Sequence, residues 1–273
     1  MNVGRGRNMR GVVALVALTA LAAVAAPTAS AAVGPVRADA VDRGQVCSLA
    51  AQAAAAPVGL GPCVGVRPGA AVVTGDTRCT LAFMFQGANG TRYAATAGHC
   101  VLGEGGLIRD VGETTWAPGT GPVAEDGSGN RIGEFAYAIL DFPGDFALIR
   151  LDPGVQSDPQ LCHFGGPTGT YTQQGSDLTL VQYVGQGTVV GEVLPARSGL
   201  APDTANADRV FAISASVPGD SGGPVTLQDG RAVGLIQGLG EVAFTVIVRL
   251  APQVERAEQA LGTSLTLQQA PTR

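Results

Sequence analysis

Six consecutive residues, Gly219-Asp220-Ser221-Gly222-Gly223-Pro224, set a hydroxyl nucleophile inside a glycine-rich turn. The Ser221 hydroxyl could attack a carbonyl carbon, while the backbone N–H groups of Gly219 and Ser221 converge on the oxygen that turns negative. Flanking glycines reach torsions closed to other residues and let the backbone approach a substrate closely. The chemistry this suits is acyl transfer.

A serine hydroxyl is a poor nucleophile until a base takes its proton, and the chain offers two histidines. His99 lies in Ala95-Thr96-Ala97-Gly98-His99-Cys100, after the strand-like run Thr91 to Thr96 and beside a cysteine that could staple it. His163 lies in the Gly/Pro-rich stretch Leu161 to Pro167 and reads as a polar loop residue beside a cysteine. His99 is therefore the candidate base. The imidazole must in turn be oriented by a carboxylate. Asp145 opens the apolar run Phe146-Ala147-Leu148-Ile149-Arg150-Leu151, which places it at the start of a buried strand. Asp141, cut off from that strand by Pro143-Gly144, suits a solvated turn.

With His99, Asp145 and Ser221 in that order, the chain resembles the serine proteases of the chymotrypsin/trypsin fold. Thr96-Ala97-Gly98-His99-Cys100, Asp145-Phe146-Ala147-Leu148-Ile149 and Gly219 to Pro224 each match a family motif, and Cys79-Thr80-Leu81-Ala82-Phe83 is similar to the entry strand of the secreted bacterial, streptogrisin-like branch. The likeness runs from about Val72 to about Leu265. It implies an all-β fold of two six-stranded antiparallel β-barrels with a C-terminal helix and the site in the cleft between them. It also implies a serine endopeptidase acting on protein or peptide substrates through His99, Asp145 and Ser221, with an oxyanion hole at Gly219 and Ser221. In this family the residue before the serine forms a buried ion pair, so Asp220 is expected to have a partner, an internal arginine rather than a freed amino terminus. Hydrolysis of this type uses no cofactor and no metal, and a monomer is expected.

Gly219-x-Ser221-x-Gly223 also fits the nucleophile elbow of α/β-hydrolases, but that fold places its histidine after the serine. No histidine follows Ser221. The alternative that survives is a protease-fold module that binds proteins and cleaves weakly or not at all.

The elements that must position these residues follow an N-terminal stretch of different character. Arg5, Arg7 and Arg10 precede the apolar run Gly11 to Ala26 and then Pro27-Thr28-Ala29-Ser30-Ala31, the layout of a secretory signal peptide over 1–31. The run is shorter than the roughly 20 residues of a spanning helix. A secreted, extracellular protein with no membrane segment is expected. Residues 32–71 read as a propeptide or an N-terminal arm, 72–265 as the protease domain and 266–273 as a tail. Export favours oxidised cysteines. Cys79 and Cys100 bracket a strand, a turn and a second strand ending at His99, so a bridge between them would pin the base; the family commonly carries a disulfide there. Cys47, Cys63 and Cys162 remain, with Cys63–Cys162 and Cys47–Cys162 both open, and an odd total leaves one thiol over.

Short runs at Cys79–Gln86, Thr91–Thr96, Phe146–Leu151, Leu178–Gly185, Val189–Leu194, Val210–Ala215, Pro224–Leu227, Ala232–Gln237 and Val242–Val248, separated by Gly, Pro, Asp and Asn, predict strands of a barrel or sandwich. Ala251 to Leu261 predicts the one helix, with Gly262 as its C-cap. A net charge of -5 and a sequence without lysine argue against nucleic acid or anionic membranes as partners. The family's primary pocket would be walled by Ser214 to Pro218 and Leu235 to Gly240. It holds no Asp or Glu for a basic side chain, and Leu239, where relatives have glycine, would narrow it toward small apolar groups. Gln237 stands where a serine often supports the aspartate, and Val217 occupies the region of a family cysteine.

Overall fold

The structure is a computed structural model that describes residues 61, 63–103, 111–175, 178–188, 193–203, 206–239 and 244–273. The expected signal peptide, Cys47 and most of the expected strand Val189–Leu194 lie outside the described residues.

Two sheets carry the site. The first contains β1 (Ala71–Thr74), β2 (Thr77–Thr80), β3 (Met84–Gly87), β4 (Arg92–Thr96), β5 (Gly112–Thr115), β6 (Val123–Asp126), β7 (Arg131–Leu140), β8 (Asp145–Leu151) and, from the far end of the chain, β16 (Leu265–Leu267). Its order is β16-β3-β4-β8-β7-β6-β1-β2, with β5 also on β7. The second holds β9 (Gly169–Thr170), β10 (Thr179–Val184), β11 (Ala196–Asp203), β12 (Arg209–Ile213), β13 (Pro224–Leu227), β14 (Arg231–Leu239) and β15 (Phe244–Arg249). Here β13-β10-β11-β12-β15-β14 closes through a β13–β14 pairing into a six-stranded antiparallel barrel, and β9 adds a short parallel pair to β14. The all-β architecture with a C-terminal helix agrees with expectation. The first sheet differs from the six strands expected: it has nine, among them β5, which pairs off the main path with β7, and β16 from the far end of the chain.

Each sheet wraps its own apolar cluster. Phe83, Phe85, Phe135, Tyr137, Phe146 and Leu148 are buried in the first, and Val181, Val210, Val225, Val233, Ile236 and Ile247 in the second. The run Cys79–Gln86 is two strands, since the chain bends at Leu81 and Ala82, whose N–H groups bond to Ala70 O (2.8 Å) and Ala95 O (2.7 Å), and so changes partner from β1 to β4. A one-turn helix, α1 (His99–Leu102), follows β4, and α2 (Leu250–Leu261) follows β15. Leu250, Gln253 and Ala257 recur at helical spacing on the buried face of α2, and Gly262, at φ 62°, caps it through its N–H to Glu258 O.

Both ends of the described chain clasp the body. Cys63 is bonded to Cys162, and Cys79 to Cys100. Past Cys63, buried Arg67 pairs with Asp158, and Gly69 N–H donates to Leu81 O at 2.8 Å. Residues 63–70 therefore lie against the domain, and β1 begins at Ala71, within the segment expected to precede it. The tail is bound too: β16 pairs with β3, and Ala270 N–H and Arg273 N–H donate to Pro167 O (2.8 Å) and Phe164 O (3.0 Å). No helix of the described residues is long and apolar enough to cross a membrane.

Candidate active site

Asp145 is the first residue of β8 and pairs with Leu140, the last of β7, so the β7–β8 hairpin fixes its backbone. Its side chain is fully buried. One oxygen, Oδ2, lies 2.8 Å from His99 Nδ1, and the other accepts the His99 backbone N–H at 2.8 Å. One carboxylate thus holds both the ring and the main chain of His99. Gly98 makes this approach possible: a Cβ there would sit 1.9 Å from Ile139 O on β7. The Cys79–Cys100 bridge ties the next residue of α1 to β2.

Burial pushes the His99 pKa down, but the charge of Asp145 and the hydrogen bond to it outweigh burial, and the net displacement is upward from the ordinary 6.5. With Nδ1 facing the carboxylate, Nε2 is left to act. Among the described residues, Asp145 receives hydrogen bonds from His99 alone; Gln237, buried at a bulge of β14 between Ile236 and Gly238, does not reach it. Asp141 occupies a different position, accepting Gly144 N–H at 2.8 Å and pairing with Arg256 at 3.0 Å.

Ser221 sits in a turn gripped from both sheets. Its carbonyl accepts Thr80 N–H at 2.8 Å, and the next N–H, of Gly222, donates to Ile236 O at 2.7 Å. Gly219 has φ 98° and Gly222 φ 83°, torsions that favour glycine. Gly222 packs so closely that a Cβ would lie 2.9 Å from Ala97 N, two residues before His99. The structure brings His99 and Asp145 into contact and sets the Ser221 turn beside them. Ser221 Oγ and His99 Nε2 are not hydrogen-bonded to one another, as is common before substrate binds. The N–H groups of Gly219 and Ser221 have no acceptor among the described residues, so both remain available to an incoming oxygen.

Asp220 is fully buried and pairs with Arg197 of β11. Its oxygens also accept the N–H groups of Gly187 and Val217, each at 2.8 Å. Arg197 in turn donates to Ala215 O at 2.9 Å and lies over the Tyr183 ring, 4.9 Å from its centroid. Sequence reasoning expected an internal arginine without naming it. It missed Thr80 entirely: its hydroxyl donates to Gly219 O (2.8 Å) and accepts Gln186 N–H (2.9 Å), and its carbonyl accepts the Thr96 hydroxyl (2.8 Å). Nothing beyond its position next to Cys79 marks it in the sequence.

In the segments expected to wall the primary pocket, Ser214 Oγ lies 2.7 Å from Thr245 Oγ1, which donates to Ser216 Oγ at 3.1 Å. The side chain of Leu239 lies outside the described residues. His163 lies in a loop beside Cys162, as its neighbours suggest, but it is buried there. It is 5% exposed with φ 70°, and its Nε2 lies 3.2 Å from Gly61 O. Its neighbour Cys162, bonded to Cys63, lies in a satellite core with Leu161 and Val184. Cysteines lie beside both histidines, but their sulfurs are joined in disulfides and offer no thiolate to a metal.

The model of the trypsin-like peptidase domain matches residues 79–235, more than half of the chain and inclusive of all three candidate residues. The chain belongs to the trypsin-like peptidase family. It is a serine endopeptidase of chymotrypsin-like fold. Among solved structures, the chymotrypsin of Cellulomonas bogoriensis is 21% identical over 74% of this chain and 99% of its own, with a TM-score of 0.51. Protease A of Thermobifida fusca is 19% identical over 74% and 99%, with a TM-score of 0.49. The likeness to the Cellulomonas enzyme, at that identity, speaks to the fold alone. No curated protein matches the chain.

Proposed function

We propose that this peptidase cleaves peptide bonds through a triad of His99, Asp145 and Ser221 and a covalent acyl-enzyme. The observation that carries the reading is the Asp145 carboxylate, which takes both His99 Nδ1 and His99 N–H at 2.8 Å. His99 Nε2 removes the Ser221 proton as Oγ attacks the peptide carbonyl, forming the C–O bond. The oxyanion is received by the N–H groups of Gly219 and Ser221, both without an acceptor in the resting site. His99 then protonates the leaving amine as the C–N bond breaks. Water, deprotonated by the same Nε2, attacks the ester and releases Ser221. Asp145 holds the tautomer and stabilises the imidazolium throughout.

The protein is exported by the signal peptide 1–31 and works outside the cell as a monomer on protein or peptide substrates. Residues 32–71 precede the catalytic domain 72–265, and 266–273 form its tail. Two disulfides support an oxidising compartment. The test is fluorophosphonate treatment of the mature protein, with the adduct mapped by mass spectrometry. Stoichiometric labelling at Ser221, lost in His99→Ala, is expected; labelling that survives that substitution, or none on folded protein, overturns the reading. The intact mass of the exported chain reads its N-terminus.

A further inference from the structure

Arg209 opens β12, where Asn206 Oδ1 accepts the N–H groups of Asp208 (2.8 Å) and Arg209 (2.9 Å). From there its side chain leaves the C-terminal barrel and lays the guanidinium over the ring of Phe142, 4.0 Å from the centroid. Phe142 belongs to the turn between β7 and β8, three residues before Asp145, and is 81% exposed. One side chain from each sheet therefore meets at the surface beside the proposed triad. Burial pushes the guanidinium pKa down, and Asp145 is the strongest of the negative charges that pull it back up.

Six other arginines among the described residues pair with a carboxylate. Arg209 does not: no carboxylate oxygen of the described residues comes within 4.0 Å, and its Nε is enclosed without an acceptor. Of the acids whose charge reaches it, Asp145 is committed to His99 and Asp141 to Arg256, and Asp208 lies beyond 4.0 Å. A half-buried guanidinium left without an anion is unfavourable, and a ligand carboxylate would relieve it. Stacking on an aromatic face restrains the plane of the group, which leaves its N–H edges for a bidentate contact with a carboxylate.

We propose that Arg209, backed by Phe142, forms a cationic subsite that selects peptide substrates with a Glu or Asp side chain near the scissile bond. The inference rests on the peptidase reading of Ser221 and names the substrate class of that site. It concerns a subsite apart from the hydroxyl-lined segments at Ser214, Ser216 and Thr245. Repulsion from Asp141, Asp145 and Asp208 acts beyond contact distance, whereas the carboxylate bound to Arg209 is in contact, and Coulomb energy falls with separation.

The test measures binding of end-capped peptides to the Ser221→Ala protein, so that nothing depends on turnover. A single Glu, or Gln in its place, is walked along an otherwise neutral peptide. At one position Glu should bind about tenfold or more tighter than Gln, the worth of one hydrogen-bonded charge pair. In Arg209→Gln the ratio at that position should fall to about one, and in Arg209→Lys it should fall part-way. A ratio near one at every position in the protein bearing only Ser221→Ala overturns the proposal, as does a ratio that survives Arg209→Gln. Fluorophosphonate labelling of the unsubstituted protein reads the peptidase mechanism separately. Ser221 labelled without Glu preference sinks only the subsite; Glu preference with an unreactive Ser221 sinks only the triad mechanism.

Discussion

Arg197 on β11 and Asp220, the residue before Ser221, form an ion pair shut off from solvent, with side-chain exposures of 9% and 0%. The carboxylate also takes the N–H groups of Gly187 and Val217, so one buried charge knots β11, the loop after β10 and the turn that carries Ser221. An uncompensated charge in such a place costs more than the pair contributes, which makes removal of one partner far worse than removal of both.

Arg197→Met should therefore cost about 3–5 kcal/mol in denaturant unfolding and abolish fluorophosphonate labelling. Adding Asp220→Asn should restore much of the stability while labelling stays low, because the carboxylate that organises the Gly219–Ser221 turn is gone. If Arg197→Met unfolds like the parent, the pair is not the knot described.

The His99–Asp145 contact sets the pH profile. In the proposed mechanism catalysis needs neutral His99, so kcat/KM should fall as pH drops through its folded pKa, and that limb should lie above 6.5 because the pKa is raised. The same shift contributes stability that is complete below the unfolded value near 6.5 and fades as pH rises through the folded value. Asp145→Asn removes the attraction and leaves burial, so the limb should move downward while kcat drops roughly 10^4-fold. A limb that stays put in Asp145→Asn would show that another group controls His99.

The three motifs were legible because each packs its chemistry into a few consecutive residues: a glycine that lets β7 come within contact of His99, an acid heading an apolar run, a serine between glycines. What joins the motifs was not. Arg197 lies in Leu194-Pro195-Ala196-Arg197-Ser198, where nothing local separates it from a surface arginine; only closure of the barrel brings it to Asp220. The strand β7 went unpredicted because Ile132 to Leu140 is buried along its whole length and so lacks the alternation of a half-exposed strand. The partner of Cys162 was undecidable from spacing, since any upstream cysteine on a free segment could reach it.

The two disulfides should separate stability from activity. Replacing Cys63 and Cys162 by Ser opens a link across 99 residues and should cost about 4–5 kcal/mol on loop entropy, against about 3 kcal/mol for Cys79 and Cys100, 21 residues apart. Activity should rank the other way, because Cys100 neighbours His99, whereas Cys63–Cys162 tethers the segment leading into the domain. Denaturant midpoints beside kcat/KM for each double variant decide it. Equal losses of activity would mean that the second bridge leaves His99 no better placed than the fold alone does.

Thr80 is the sharpest test of how the sheets share the site. Its hydroxyl bridges Gly219 O and Gln186 N–H, and its main chain bonds to Ser221 O and the Thr96 hydroxyl. Thr80→Val keeps the shape and β-branching but strands one buried acceptor and one buried donor, a cost of about 1–3 kcal/mol for each. Gly219 O would lose its anchor at the turn of the proposed oxyanion hole, so kcat should fall more than KM rises. Thr80→Ser keeps the hydroxyl and should recover most of kcat. Val and Ser variants of equal activity would mean that Ile236 and the Arg197–Asp220 pair hold the turn without help from the first sheet.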